Sequence, residues 1–146
     1  MKLWLLRHGE AERFAATDAK RQLTDAGCLD VNASAQALRG VALTHILVSP
    51  YVRAQQTATL VTRAIGWQAP LETVNWLTPD TPVQQTLTAL NAYTGEVLLI
   101  AHQPLLGDLA GLLQHGHRQA PEAVHTAQLL CLEGPDWLAG LMTRCY

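Results

Sequence analysis

Three runs of this chain stay apolar through to their ends: Lys2-Leu3-Trp4-Leu5-Leu6, Thr44-His45-Ile46-Leu47-Val48 and Glu96-Val97-Leu98-Leu99-Ile100-Ala101. Strands of that kind need cover on both faces, which a parallel sheet between helices provides and a half-solvated antiparallel sheet does not. The stretches between them have helical spacing. Ala26, Leu29, Ala33 and Ala37 follow a Thr24 N-cap, and Val61, Ala64 and Ile65 precede Gly66. Val83, Leu87 and Leu90 follow Pro82, and Leu105, Leu106, Leu109, Leu112 and Leu113 follow Pro104. Beyond a polar loop from Gln114 to Glu122, Ala127 to Leu132 and Trp137 to Met142 read as a closing hairpin. The pattern predicts one α/β domain over residues 1–146. Its architecture is a three-layer α/β/α arrangement, with a mainly parallel central sheet, helices on both faces and a C-terminal hairpin.

The three runs end in polar residues. The first stops at Arg7-His8-Gly9, the second at Ser49-Pro50 with Arg53 one turn later, the third at His102. A core strand gains nothing from such an ending, and burying these groups unpaired is costly. One instance reads as a strand end reaching solvent; three do not. Parallel α/β sheets bind ligands outside the carboxyl ends of their strands, so the topology brings two histidines and two arginines to one edge.

Composition narrows the chemistry. A formal net charge of −2 argues against bulk nucleic-acid binding. Of the ten basic residues only Lys2 and Lys20 are lysines, so the cations are mostly guanidinium forks that match flat oxyanions. Cys28, Cys131 and Cys145 are odd in number and form no C-x-x-C, which excludes a disulfide framework or a zinc knuckle. Arg7 interrupts the first apolar run well short of a signal peptide, and no run reaches the roughly 18 apolar residues of a membrane span. A cytoplasmic protein without a membrane segment is the expectation. Two guanidiniums would repel a divalent cation, so neither metal nor cofactor is expected. A phosphoryl group suits the set better. Arginines hold its oxygens, helix starts near Gly9, Pro50 and Pro104 add donors, and one neutral imidazole can attack phosphorus while a second, if protonated, can stabilise the transferring group.

The residues also carry a family resemblance. Leu6-Arg7-His8-Gly9-Glu10-Ala11 resembles the R-H-G signature of the histidine phosphatase (phosphoglycerate mutase-like) superfamily, and Arg21-Gln22-Leu23-Thr24-Asp25-Ala26-Gly27 its R-x-L-T-x-x-G stretch. Ser49 to Thr57 resembles the S-P-x-x-R-A-x-Q-T segment, and His102-Gln103-Pro104 the late histidine. The short chain, Asp18 ahead of Arg21, and Leu77-Thr78-Pro79 most resemble the SixA branch of phosphohistidine phosphatases. That resemblance implies His8 as the phosphorylated nucleophile and Arg7, Arg53 and His102 around the phosphate. Arg21 would be a further contact at the pocket or its rim, and Gly9 and Ser49 would also bind the phosphate or substrate. It implies a phosphorylated protein as substrate, such as a histidine-containing phosphotransfer domain; the alternative is a small phosphorylated molecule.

One departure is informative. Trp76 stands beside Leu77-Thr78-Pro79, where SixA-like chains often have Glu, leaving Asp80 and Asp18 as candidate acids. Asp80 also reads as a cap of the third helix. Expelling an alkoxide needs strong acid assistance, since its conjugate acid has a pKa comparable to that of water, about 15.7. Imidazole leaves after a single protonation near pKa 6.5, roughly its free value. A weak acid position therefore favours an N–P substrate. Between Leu71 and Glu96 there is room for one short helix but no lid, so the site should stay open. A phosphate-recognition module without turnover would have no need of both His8 and His102. His115-Gly116-His117 reads as the polar end of a helix, His45 and His125 as strand-edge residues, and Trp76 as packing or as a groove lining.

Overall fold

The computed structural model describes residues 1–146. The apolar runs become β1 (Lys2–Arg7), β2 (His45–Val48) and β4 (Glu96–Ala101), joined by β3 (Glu72–Thr73), β5 (Leu129–Glu133) and β6 (Thr143–Arg144). They form one sheet in the order β3-β2-β4-β1-β5-β6. The first four strands are parallel; β5 and β6 are antiparallel to their neighbours.

The uninterrupted runs are buried on both sides. Leu3, Leu5, Leu47, Val97 and Leu99 face α3 (Val83–Leu90) and α4 (Leu105–His115). Trp4, Leu6, Ile46, Val48, Leu98 and Ile100 face α1 (Asp25–Ala35) and α2 (Val52–Ile65). The three layers foreseen from the sequence are present, and no helix is long and apolar enough to cross a membrane. Period-2 side-chain alternation splits each run between two cores, which is why the runs show no polar face.

Three local readings need correction. The buried face of α1 is Gly27, Val31 and Ala35, continued by Leu38, whereas Ala26, Leu29 and Ala33 are exposed. The helix phase is set by a backbone contact: a Cβ on Gly27 would lie 2.2 Å from the Glu10 carbonyl oxygen. Thr24 does cap this helix, accepting from the Gly27 N–H at 2.9 Å. In the closing hairpin, the strand facing β5 is Thr143–Arg144 rather than Trp137 to Met142. Trp137 and Met142 instead fill the core, and Trp137 Nε1 donates to the Tyr93 carbonyl at 2.7 Å. The first hairpin strand begins at Leu129 because Ala127 takes a left-handed φ of 58°, and its N–H reaches the Arg7 and His8 carbonyls. Strand β3 had no sequence signal, being only two residues long.

Chain direction then creates a crevice. The chain leaves β1 for α1 on one face of the sheet and leaves the adjacent β4 for α4 on the other. Between strands whose connections part in this way, the carboxyl edge stays uncovered.

The Gly27 contact is testable. Gly27→Ala should destabilise the fold by about 2–3 kcal/mol, because backbone on both sides cannot swing away from the new methyl. Gly40→Ala, with open space around it and a φ of 80°, should cost only about 1 kcal/mol of backbone strain. Urea unfolding of both variants gives the comparison; equal losses would show that the close approach does not matter.

Candidate functional site

Strand register assembles the site. β1 and β4 pair with Arg7 opposite Ala101, and β2 and β4 with Val48 opposite Ile100. The next residue on each strand is His8, His102 or Ser49. The ladder continues through them: His8 N–H donates to Ala101 O and Ser49 N–H to Ile100 O, both at 3.1 Å. The imidazole centroids of His8 and His102 are 5.1 Å apart. Arg53 arrives from the first turn of α2, where its Nε donates to His8 Nε2 at 3.2 Å. Four chemically reactive side chains from three distant segments therefore meet at one edge.

Each imidazole is held from behind. His8 Nδ1 lies 2.7 Å from the Gly9 carbonyl oxygen, which can only accept, so Nδ1 carries the proton and Nε2 the lone pair. His102 Nε2 lies 2.7 Å from Ser49 Oγ, and Ser49 Oγ accepts from Tyr51 N–H at 3.2 Å. Both rings are buried. Burial drives His8 down to about 4; the charges of Arg53, Arg7 and Arg21 add to the effect, while the Gly9 bond opposes it. Burial likewise drives His102 to about 3, helped by His8 and Arg53. Both rings are therefore neutral imidazoles near pH 7 in the free site.

Arg7 is held by a neutral acceptor rather than by a carboxylate. Arg7 Nη1 donates to Val124 O at 2.9 Å, while its buried Nε has no partner. Burial and Arg53 both lower the pKa of Arg7. His102 Nδ1 is also buried and unpartnered. Unsatisfied buried polar atoms are rare in folded proteins and each calls for an explanation, such as strain, a catalytic role, or a bound water or ion. Together with the Arg53 guanidinium, the unpaired Arg7 Nε and His102 Nδ1 suit a tetrahedral oxyanion.

The remaining predicted residues have distinct positions. Gly9 lies against α1, where a Cβ would fall 2.7 Å from Gly27 O, and its N–H goes to Thr57 Oγ1 at 3.2 Å. Its amide is thus occupied. Ser49 is fully buried behind His102. Arg21 sits at the rim, donating to Glu12 O at 2.7 Å and to Asp18 Oδ1 at 2.9 Å. Asp18 also accepts from Arg53, at its main-chain oxygen (2.8 Å) and at Oδ2 (3.2 Å). The Arg21 hydrogen bond, with Arg53 adding, holds the Asp18 carboxyl below its usual range, so it stays ionised. Asp80 is exposed and accepts from Thr78 Oγ1 at 2.9 Å; the residue at the start of α3 is Pro82, with no side-chain cap. Trp76 packs on Tyr93 at 6.3 Å between centroids, against the α3/α4 core. No group of three or more His, Cys, Asp or Glu side chains converges as a metal site requires.

Sequence reasoning missed the supports. Tyr51 lies edge-on to His102 at 5.0 Å and under the Arg53 guanidinium at 5.1 Å, a cation–π contact. Thr57, one turn after Arg53, accepts from Gly9 N–H and donates to Arg53 O. Gln55 ties down the Ser49 carbonyl at 2.8 Å. The helical spacing of Arg53 and Thr57 was the available signal.

The chain matches the model of the histidine phosphatase superfamily (branch 1) over residues 3–78, a span holding Arg7, His8 and Arg53. It is 37% identical over 122 residues to the phosphohistidine phosphatase SixA of Escherichia coli (strain K12), covering 80% of this chain and 76% of that protein. A solved structure of the protein histidine phosphatase SixA complexed with tungstate superposes with a TM-score of 0.89 at 31% identity, covering all of this chain and 95% of the other. The α-ribazole phosphatase of Shigella flexneri shares the fold alone, with a TM-score of 0.76 at 20% identity over 97% of this chain and 94% of that one. The chain is a member of the histidine phosphatase superfamily.

Proposed function

We propose that this enzyme removes the phosphoryl group from a phosphohistidine on a signalling protein in the cytoplasm, through a covalent intermediate on His8. The observation that carries the reading is the His8 ring: neutral, its tautomer fixed by Gly9, and its Nε2 lone pair turned toward Arg53. In the free site the Arg53 N–H caps that lone pair. A phosphoryl oxygen is a charged, stronger acceptor, so an arriving substrate takes the N–H and frees Nε2 for in-line attack. The P–N bond to the substrate imidazole breaks as the bond to His8 Nε2 forms, and solvent protonates the departing ring. Water then attacks phosphorus, releasing inorganic phosphate and neutral His8. Arg7, Arg53 and His102 hold the equatorial oxygens, and a bound dianion favours protonation of His102.

Substrate class follows from the acid position. Trp76 is half-buried against the core and Asp18 is ionised between two arginines. An oxygen ester would lack a proton donor, whereas phosphohistidine needs none from the protein. The 37% identity to a phosphohistidine phosphatase supports the same choice.

His8→Ala should lower turnover by more than about 10³-fold and abolish the transient acid-labile label from a radioactive phosphoryl donor, with the melting midpoint retained. Substantial remaining activity would remove His8 from the covalent role. Arg53→Ala should cost about 10²–10³-fold, the usual loss for a transition-state donor. A phosphorylated histidine domain assayed beside a panel of phosphate esters tests the substrate; faster ester hydrolysis would overturn it.

The imidazoles give a pH test. NMR titration should place His8 near 4 and His102 near 3, against about 6.5 for a free histidine. Below that value the unfolded chain binds protons the folded chain refuses. The melting midpoint should therefore fall as pH drops from about 6.5 toward 4, and bound phosphate should oppose the fall. Ring midpoints near 6.5 would show solvated imidazoles and weaken the assignment.

A further inference from the structure

We infer that Asp18 is a built-in counter-charge that sets how tightly the pocket holds phosphate. This rests on the phosphate-site reading above and concerns affinity, not proton transfer. Asp18 grips the outer edge of the Arg53 guanidinium at two points, main-chain oxygen to Nη1 (2.8 Å) and Oδ2 to Nη2 (3.2 Å). Its other carboxylate oxygen takes Arg21 at 2.9 Å. Each terminal guanidinium nitrogen carries two hydrogens. One N–H of Nη2 therefore remains beside the Nε–H that faces His8, leaving a two-donor edge for a phosphoryl group.

Charge explains why a carboxylate belongs there. In the free site, with both imidazoles neutral, Arg7, Arg21 and Arg53 less Asp18 leave two positive charges to meet an arriving phosphate dianion. Without the carboxylate the pocket would carry three, and every turnover ends with a free dianion that must leave. Asp18 is more than half exposed and doubly paired, so it acts through the arginines as a positioning residue. Removing its charge should tighten anion binding, whereas loss of a purely structural support would loosen it.

The test is calorimetric binding of inorganic phosphate and of tungstate to the intact chain. Asp18→Asn keeps an acceptor oxygen and removes the charge; its Kd for both anions should fall by about tenfold at low salt, and product inhibition by phosphate should strengthen equally. Asp18→Ser should show the same direction. Glu133→Gln removes a charge at the far end of β5 and should leave the Kd unchanged. Unchanged or weaker binding in both Asp18 variants would overturn the counter-charge. Failure of the unaltered protein to bind either anion would instead overturn the phosphate-site reading itself.

Discussion

The hydrogen-bonded register between β1 and β4 is the constraint on which the site depends. It fixes His8 level with His102 through the His8 N–H to Ala101 bond, independently of any side-chain preference. The two strands are central, apolar on both faces and covered by helices on opposite sides. A one-residue slip would turn every core side chain to the wrong face. The histidine spacing is thus protected by much of the hydrophobic core, and α2 only needs to deliver Arg53.

That rigidity explains how two imidazoles and two guanidiniums can be buried together. The ionised state of either histidine would add a cation to a crowded, poorly solvated edge, so both rings give up their protons. The arginines cannot, and their burial is met instead by Val124 O, the Asp18 oxygens and the Tyr51 ring. What stays unsatisfied is Arg7 Nε and His102 Nδ1. The folding energy of the cores holds open a cluster that is more comfortable with an anion than without one.

How much of this the sequence could reveal follows from range. Strand ends, helix starts and the convergence of His8, Arg53 and His102 were legible because apolar runs and caps are local signals and parallel direction is a topological rule. The α1 face was misread because its phase is set by backbone contact between Gly27 and Glu10, which residue hydrophobicity does not encode. The hairpin strand was misplaced because Trp137 and Met142 are apolar for the core, not for a sheet face. Ser49 and Gly9 occur in the right motifs, yet their polar groups face His102 and Thr57, a distinction visible only in three dimensions.

The absent acid and the absent lid answer one requirement. An enzyme that expels an alkoxide needs a carboxyl group kept protonated, which in turn needs a dry, closed site to raise its pKa. Here the carboxylate nearest Arg53 lies in the open and is held ionised by two cations. Closing the site would strengthen the grip of those cations on a departing phosphate without creating a donor. A leaving imidazole reverses the demand: it is basic enough to take its proton from water, so an open edge supplies the acid. The same opening admits a histidine still attached to its own folded domain. The geometry that is poor for esters therefore suits the N–P bond of the proposed substrate.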